Sequence, residues 1–490
     1  MQDQKKTELF ERTSIARAVL TLSVPTVLSS LVMILYNLAD TYFVGMLRDP
    51  IQNSAVTLAA PVLLAFNAVN NLFGVGSSSM MSRALGAGDY DTVRRSSAFG
   101  FWCALACGAV FSLLATVLRG PLLALLGADE TTAAATGAYM RWTVTCGAVP
   151  AILNVVLAYL VRAEGATLHA SIGTMSGCAL NIVLDPVFIL PWGLDMGAAG
   201  AGLATFLANC AACLYFFVLL LVRRGKTCVC ISPAQARPRR EVAMGVFAVG
   251  VPASIQNLLN VTGMTVLNNF TAVYSPDAIA AMGISYKVCM IPMYVGMGIS
   301  QGLMPLVSYN YGAGNPRRLK EGVLFAARLS LSLMVAVTAV FFFGSGSIIS
   351  AFMKNEAVVA YGTRFMRCMC LAQPLLCMDF LAVGVFQACG LGRYALVFAI
   401  LRKLVLEIPA LYLWNRVWPL YGLACAQPTA EVVLAIAAVA ILIRLFRRME
   451  AEGTPLGGRK AAGTVIGGHR PPERSLPPEA AMTRDAPKGQ

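Results

Sequence analysis

The chain has 490 residues, of which 57% are hydrophobic and only 13% charged, with a mean hydropathy of +0.68. A soluble fold of this length cannot hide so much apolar surface, which leaves a polytopic membrane protein. The net charge of +14 does not point to nucleic acid: most Lys and Arg fall between apolar runs or in the C-terminal tail, and no basic-aromatic platform accompanies them.

Residues 1–17 form a polar segment of mixed charge without the compact apolar core and cleavage site of a signal peptide, so the first span is expected to act as an uncleaved anchor. Apolar runs of helical length then fall at 18–45, 55–82, 97–118, 134–161, 168–190 and 198–222, and again at 242–273, 278–307, 323–345, 358–388, 394–415 and 420–446. Each supplies the roughly 20 helical residues that about 30 Å of hydrocarbon requires. This predicts an all-α protein of twelve transmembrane helices: an N lobe (18–222), a polar linker (223–241), a C lobe (242–446) and a disordered, dispensable tail (447–490) rich in Gly, Pro and charge. Arg83, Arg94, Arg95, Arg223, Arg224, Arg317, Arg318 and Lys320 fall on one side and little beyond Arg48, Arg119, Lys354 and Arg416 on the other. The positive-inside rule therefore places both termini in the cytoplasm of a multi-pass cell-membrane protein.

An internal repeat organises the two halves. "SVPTVLSSL" echoes "GVPASIQNL", "SRALGAGDYDTVRR" echoes "YNYGAGNPRRL", and "RAEG" echoes "QACG", at offsets of 227 (Pro25 to Pro252), 226 (Gly86 to Gly312) and 225 (Gly165 to Gly390). "NIVLDP" (Asn181–Pro186) likewise echoes "KLVLEIP" (Lys403–Pro409), with one residue inserted before the proline. Each half has an even number of helices, so the copies run parallel around an axis along the membrane normal, an architecture for two lobes rocking about a central cleft. The "GAG" segments lack the Lys-Ser/Thr of a phosphate loop and read as tight helix-helix turns.

The deep acids are read as Asp40, Asp185, Asp379 and Glu407. A charged carboxylate alone in hydrocarbon costs several kcal/mol, which makes each a functional candidate. Asp40 shares a helical face with Tyr36 and Asn37, and Asp185 with Asn181. If the first, fifth and sixth spans converge, Asp40, Asn181, Asp185 and Thr205 make an oxygen-rich pocket for a proton or a small hard cation; the alternative is a hydrogen-bonded pair that only fixes packing. Asp379 stands where the first half has Asn154, and Glu407 where it has Asp185; each is read equally as a coupling residue or as polar glue between helices. Gln256, Asn257, Asn260 and Asn268 of the seventh span are expected to line a cavity or bridge helices, and Met293 to furnish an adaptable apolar wall or ordinary packing. Scattered cysteines and two histidines offer no metal cluster or disulfide framework, and neither a catalytic constellation nor a cofactor motif is visible, so the chain is not expected to be an enzyme.

Over residues 15–446 the chain resembles the multidrug and toxic compound extrusion (MATE) family. The likeness rests on "VPTVLSSLVMILYNLADTYFVG", "SRALGAGDYDTVRR", "RAEGATLHASIGTMSGCALNIVLDPVFI", "GAAGAGLATF" and "GISQGLMPLVSYNYGAGNPRRL". It implies a two-lobed antiporter that expels lipophilic, often cationic compounds in exchange for H⁺, or alternatively Na⁺, working as a monomer with the lipid bilayer and small substrates as its partners. It also implies that Asp40, Asn181, Asp185 and Thr205 form the cation site. One departure is visible. The second-lobe acids of some Na⁺-coupled relatives are not aligned, since Asp379 is offset and Gln256 and Asn257 stand where a glutamate is expected. A flippase for lipid-linked sugars and a dedicated exporter of one metabolite are the alternative readings.

Overall fold

A computed structural model describes residues 8–47, 49–237 and 239–452. Among these the secondary structure is helical throughout, in twelve successive spans. In the N lobe they are α1 (Ile15–Met46), α2 (Pro50–Gly86), α3 (Tyr90–Val117), α4 (Ala133–Cys146 with Ala148–Ala163), α5 (Thr167–Ile189) and α6 (Ala198–Val222). In the C lobe they are α7 (Arg240–Ala272), α8 (Pro276–Gly312), α9 (Pro316–Phe352), α10 (Glu356–Cys370 with Gln373–Ala388), α11 (Gly392–Ile400, Leu401–Glu407 and Ile408–Val417) and α12 (Gly422–Glu452). Nine are long and apolar enough to cross a membrane as single helices, and the bent pairs of α4 (49°) and α10 (43°) bring that to eleven. The exception is α11, whose middle carries Arg402, Lys403 and Glu407.

Short side chains and prolines set the helix ends. Asp49, Asp89, Ser275, Asn315 and Asn355 each accept a hydrogen bond from a backbone N–H of the helix they precede, and prolines open α2, α8 and α9. The two "GAG" segments are indeed tight turns: Gly88 and Gly314 adopt φ of 75° and 69°, and Asp89 and Asn315 then cap α3 and α9. One expected boundary shifts. The last helix runs on to Glu452, past the expected boundary at 446, while the expected disorder of 453–490 lies outside the described residues. Within the linker, residues 230 and 231 lie against the N lobe, where Trp102 Nε1 donates to Ile231 O at 3.0 Å and Cys230 N to Ser97 Oγ at 3.0 Å.

The lobes meet at the end where residues 8–13 and the last turn of α12 lie. There α1 packs along α8, and α2 along α7 and α8. Small residues let the backbones approach: a Cβ on Gly86 would lie 2.0 Å from Tyr309 O, and one on Gly312 would lie 2.0 Å from Arg83 O. Polar seals cross the seam from Ser23 Oγ to Ile299 O (3.4 Å), from Ser79 Oγ to Gln387 O (2.6 Å) and from Arg162 Nη1 to Gln301 Oε1 (3.2 Å). Residues 8–13 span the closed end. Phe10 is buried against Gly165, stacks on Tyr309 with ring centroids 4.8 Å apart, and its carbonyl accepts from Arg318 and Asn310. At the other end Tyr42 and Met46 of α1 remain exposed.

Candidate functional site: an uncompensated acid pair in one lobe

Helices α1, α5 and α6 converge in the N lobe, and Tyr36, Asp40, Asp185 and Thr205 stand side by side there. Asp185 is fully buried and Asp40 half-buried. Pro186 lies inside α5 directly after the carboxylate and withholds a backbone donor at that turn. Asn181, one turn earlier, is 1% exposed. With its amide nitrogen towards Asp185 it donates to Oδ2 at 2.8 Å, and its oxygen accepts from Thr205 N at 3.1 Å; hydrogen-bond complementarity assigns this orientation. In the opposite orientation it donates to Thr205 Oγ1 at 3.3 Å. Either way Asn181 ties α5 to α6. Among the described residues no Lys or Arg lies within ion-pair distance of Asp40 or Asp185. Two neighbouring carboxylates without a basic partner in a low dielectric demand a mobile counter-cation or a proton.

Not every residue on the expected faces joins this cluster. Asn37 is exposed, and its amide turns back to Met33 O. Asn154 is buried away from it, donating to Asn209 Oδ1 at 2.9 Å and to Pro150 O, which pins α4 to α6. Sequence reasoning missed Tyr139 of α4, which is buried beside Asp40, Tyr36 and Asp185. Nothing in its local sequence marks it, because it reaches the pair only through the packing of α4 on α6.

A second charged cluster lies in the C lobe. Arg402 is 3.3 Å from Asp379 and 2.8 Å from Glu431, while Lys403 Nζ donates to both oxygens of Glu407 at 2.8 and 2.6 Å. All five groups are buried. Asp379 and Glu407 thus come with their own basic partners, unlike Asp40 and Asp185. The four deep acids read from the sequence need a correction: Glu431, within α12, is a fifth and is fully buried. Its charge within an apolar span marks it in the sequence, as Arg402 and Lys403, five and four residues before Glu407, mark the basic side of the cluster.

Between the lobes lies a cavity of about 110 Å³. Gln256, Asn257 and Asn260 of α7 line it, with Met297, Gln301 and Met304 of α8 and Phe380 of α10. Gln387 Nε2 donates to Gln256 Oε1 at 3.2 Å, which joins α10 to α7. Met293 is half-buried, one turn from Met297 and not part of the lining, and the side chain of Asn268 lies outside the described residues. The cavity wall is therefore amide, thioether and aromatic, without a carboxylate among its lining residues.

The MatE family model matches residues 25–187 and again 252–413, one copy per lobe, each match beginning at one of the paired prolines. The chain belongs to the MATE family. Its relatives include the multidrug export protein MepA of Staphylococcus aureus (strain MRSA252), 32% identical over 449 residues that cover 91% of this chain and 98% of MepA. Among solved structures it resembles an outward-facing multidrug resistance MATE transporter of the MOP superfamily, with a TM-score of 0.85 and 25% identity over 91% of this chain and 99% of that one. A MOP superfamily transporter from Pyrococcus furiosus, described as having a binding pocket of reverse polarity, gives 0.84 at 25% identity over the same shares. The MATE fold, two six-helix lobes around a cleft, is thus the fold of this membrane protein.

Proposed function

We propose that this MATE protein is a secondary antiporter of the cell membrane that exports lipophilic, often cationic compounds in exchange for inward H⁺, or alternatively Na⁺, with both termini in the cytoplasm. The observation that carries the coupling is the pair Asp40 and Asp185, buried together without a basic partner among the described residues. The names of its relatives support the substrate class. On this orientation the sealed end of the cleft faces the cytoplasm. A cation entering from outside settles between Asp40 and Asp185, held through Asn181 and Thr205, and cancels their mutual repulsion. Antiport then requires only that cation and substrate bias the two lobe arrangements in opposite directions. Each monovalent cation moving inward supplies about 2.3 kcal/mol per 100 mV, enough to sustain roughly fortyfold accumulation of an uncharged substrate.

The test is ethidium transport in everted membrane vesicles under an imposed pH gradient and, separately, an imposed Na⁺ gradient. Transport driven by one gradient and lost in both Asp40→Asn and Asp185→Asn is the expected result, and it names the ion. Full transport in both variants would sink the site assignment. If neither gradient moves ethidium in the wild type, the multidrug reading falls and a dedicated exporter is favoured.

A further inference from the structure

The internal repeat sets the two charged clusters at equivalent places, and their contents differ in a consistent way. Read along the paired segments, Asn181 corresponds to Lys403 and Asp185 to Glu407, each pair four residues apart. On the partner helix, with Pro25 paired to Pro252, Asp40 corresponds to Leu267 and Tyr36 to Gly263. The C lobe has thus lost one carboxylate, exchanged an amide for an ammonium, and replaced a large side chain by none. The geometry shows why these changes belong together. Lys403 is buried against Gly263, where an added Cβ would lie 3.1 Å from Nζ, so the volume that Tyr36 fills in the N lobe is the volume the lysine occupies in the C lobe. Its ammonium holds both oxygens of Glu407.

We propose that Lys403 is a built-in cation: the C lobe retains the counterpart of the N-lobe cation site, and the chain's own ammonium fills it permanently. This rests on the cation-coupled reading above. Glu407 then exchanges no ion during transport, and the N lobe alone carries the exchangeable site of this type. The one-residue insertion before Pro409 fits the same picture. The segment Leu401–Glu407 is a π-helix, the geometry by which a helix absorbs a single extra residue, and it places Lys403 and Glu407 in bidentate contact. Among the described residues the other titratable groups facing the pair are Asp379, Arg402, Glu431 and Tyr286; Arg402 is already shared between Asp379 and Glu431.

Removing the ammonium while leaving Glu407 vacates the site for a monovalent cation. The measurement is the number of cations bound per purified protein, by ²²Na⁺ binding and by potentiometric proton titration, in wild type, Lys403→Met, Lys403→Arg, Glu407→Gln and the Lys403→Met/Glu407→Gln double variant. The expected result is one additional Na⁺ or proton in Lys403→Met. That extra cation is absent from the double variant, and Lys403→Arg keeps the wild-type count. Wild-type binding in Lys403→Met would overturn the proposal, as would a count that falls by one in Glu407→Gln, because Glu407 would then already exchange. If Lys403→Met does not fold, the Glu407→Gln count decides alone. Asp185→Asn separates the two readings: a wild type with no cation removable by that change contradicts the coupling mechanism, whatever Lys403→Met gains.

Discussion

Asp185 and Glu407 are both buried carboxylates one turn after a polar partner, yet they pose opposite electrostatic problems. Asp185 has an amide donor and a second acid beside it, whereas Glu407 has a bidentate ammonium. Thr205 serves the first site through its hydroxyl, which meets Tyr36, and through its backbone N–H, which meets Asn181, so Thr205→Val is expected to weaken cation affinity by about fivefold, the worth of one hydrogen bond of about 1 kcal/mol. Cation titration of purified protein checks this. In the C lobe the vulnerable residue is Arg402, whose guanidinium serves Asp379 and Glu431 and lies over the Phe380 ring. Arg402→Met strands two buried carboxylates, and the expected loss of stability is about 3–5 kcal/mol, read from thermal unfolding in detergent. Asp379→Asn is expected to cost less, because Arg402 keeps Glu431.

At the scale of elements, the closed end of the cleft depends on backbone proximity. Gly86 ends α2 against α8, and Gly312 ends α8 against α2, in a reciprocal contact that the repeat makes nearly symmetric. A valine at Gly312 meets the Arg83 carbonyl and cannot be accommodated without parting the helices, so Gly312→Val is expected to shift the protein away from this state. Spin-label distances across the seam would lengthen, and export would slow at the step that needs closure; unchanged distances would contradict the argument. The π-helical turn of α11 offers a second element-scale test. Deleting Val405 shortens this turn by one residue between Lys403 and Glu407 and rotates Glu407 by about 100° relative to Lys403, since each helical residue turns by that angle. The expected outcome is a broken Lys403–Glu407 pair and a marked fall in thermal stability.

For the whole molecule, the decisive feature is that residues from both lobes and from the N-terminal segment assemble one seal. Phe10 touches Gly165 of the N lobe and Tyr309 of the C lobe, and Arg318 holds the backbone around it. Phe10→Ala removes a buried aromatic from this state alone, so it is expected to favour the opposite lobe arrangement, visible as faster cross-linking by a reagent entering from the side where residues 8–13 lie. Truncation after Glu452 removes none of these contacts, and ethidium export is expected to persist. Much of this organisation was legible in the sequence because hydrocarbon imposes a simple rule: spans must be long, helical and apolar, so hydropathy marks them and a charged residue within them stands out. The repeat was equally plain, since paired glycines and prolines mark turns and kinks. Asp40, Asn181, Asp185 and Thr205 could be named on those grounds, and α5 and α6 bring Asn181 and Thr205 into contact. Sequence could not say which acids keep their own cations. Ion pairing depends on the few ångströms between side chains of different helices, and the distances from Arg402 to Asp379 and Glu431 join residues of α10, α11 and α12. Helix number, repeat and candidate residues are thus properties of the chain read locally, because solvent preference and backbone geometry act residue by residue. Whether a buried carboxylate awaits an ion or already holds one was decided only by the tertiary packing, because charge compensation is a matter of neighbours in space.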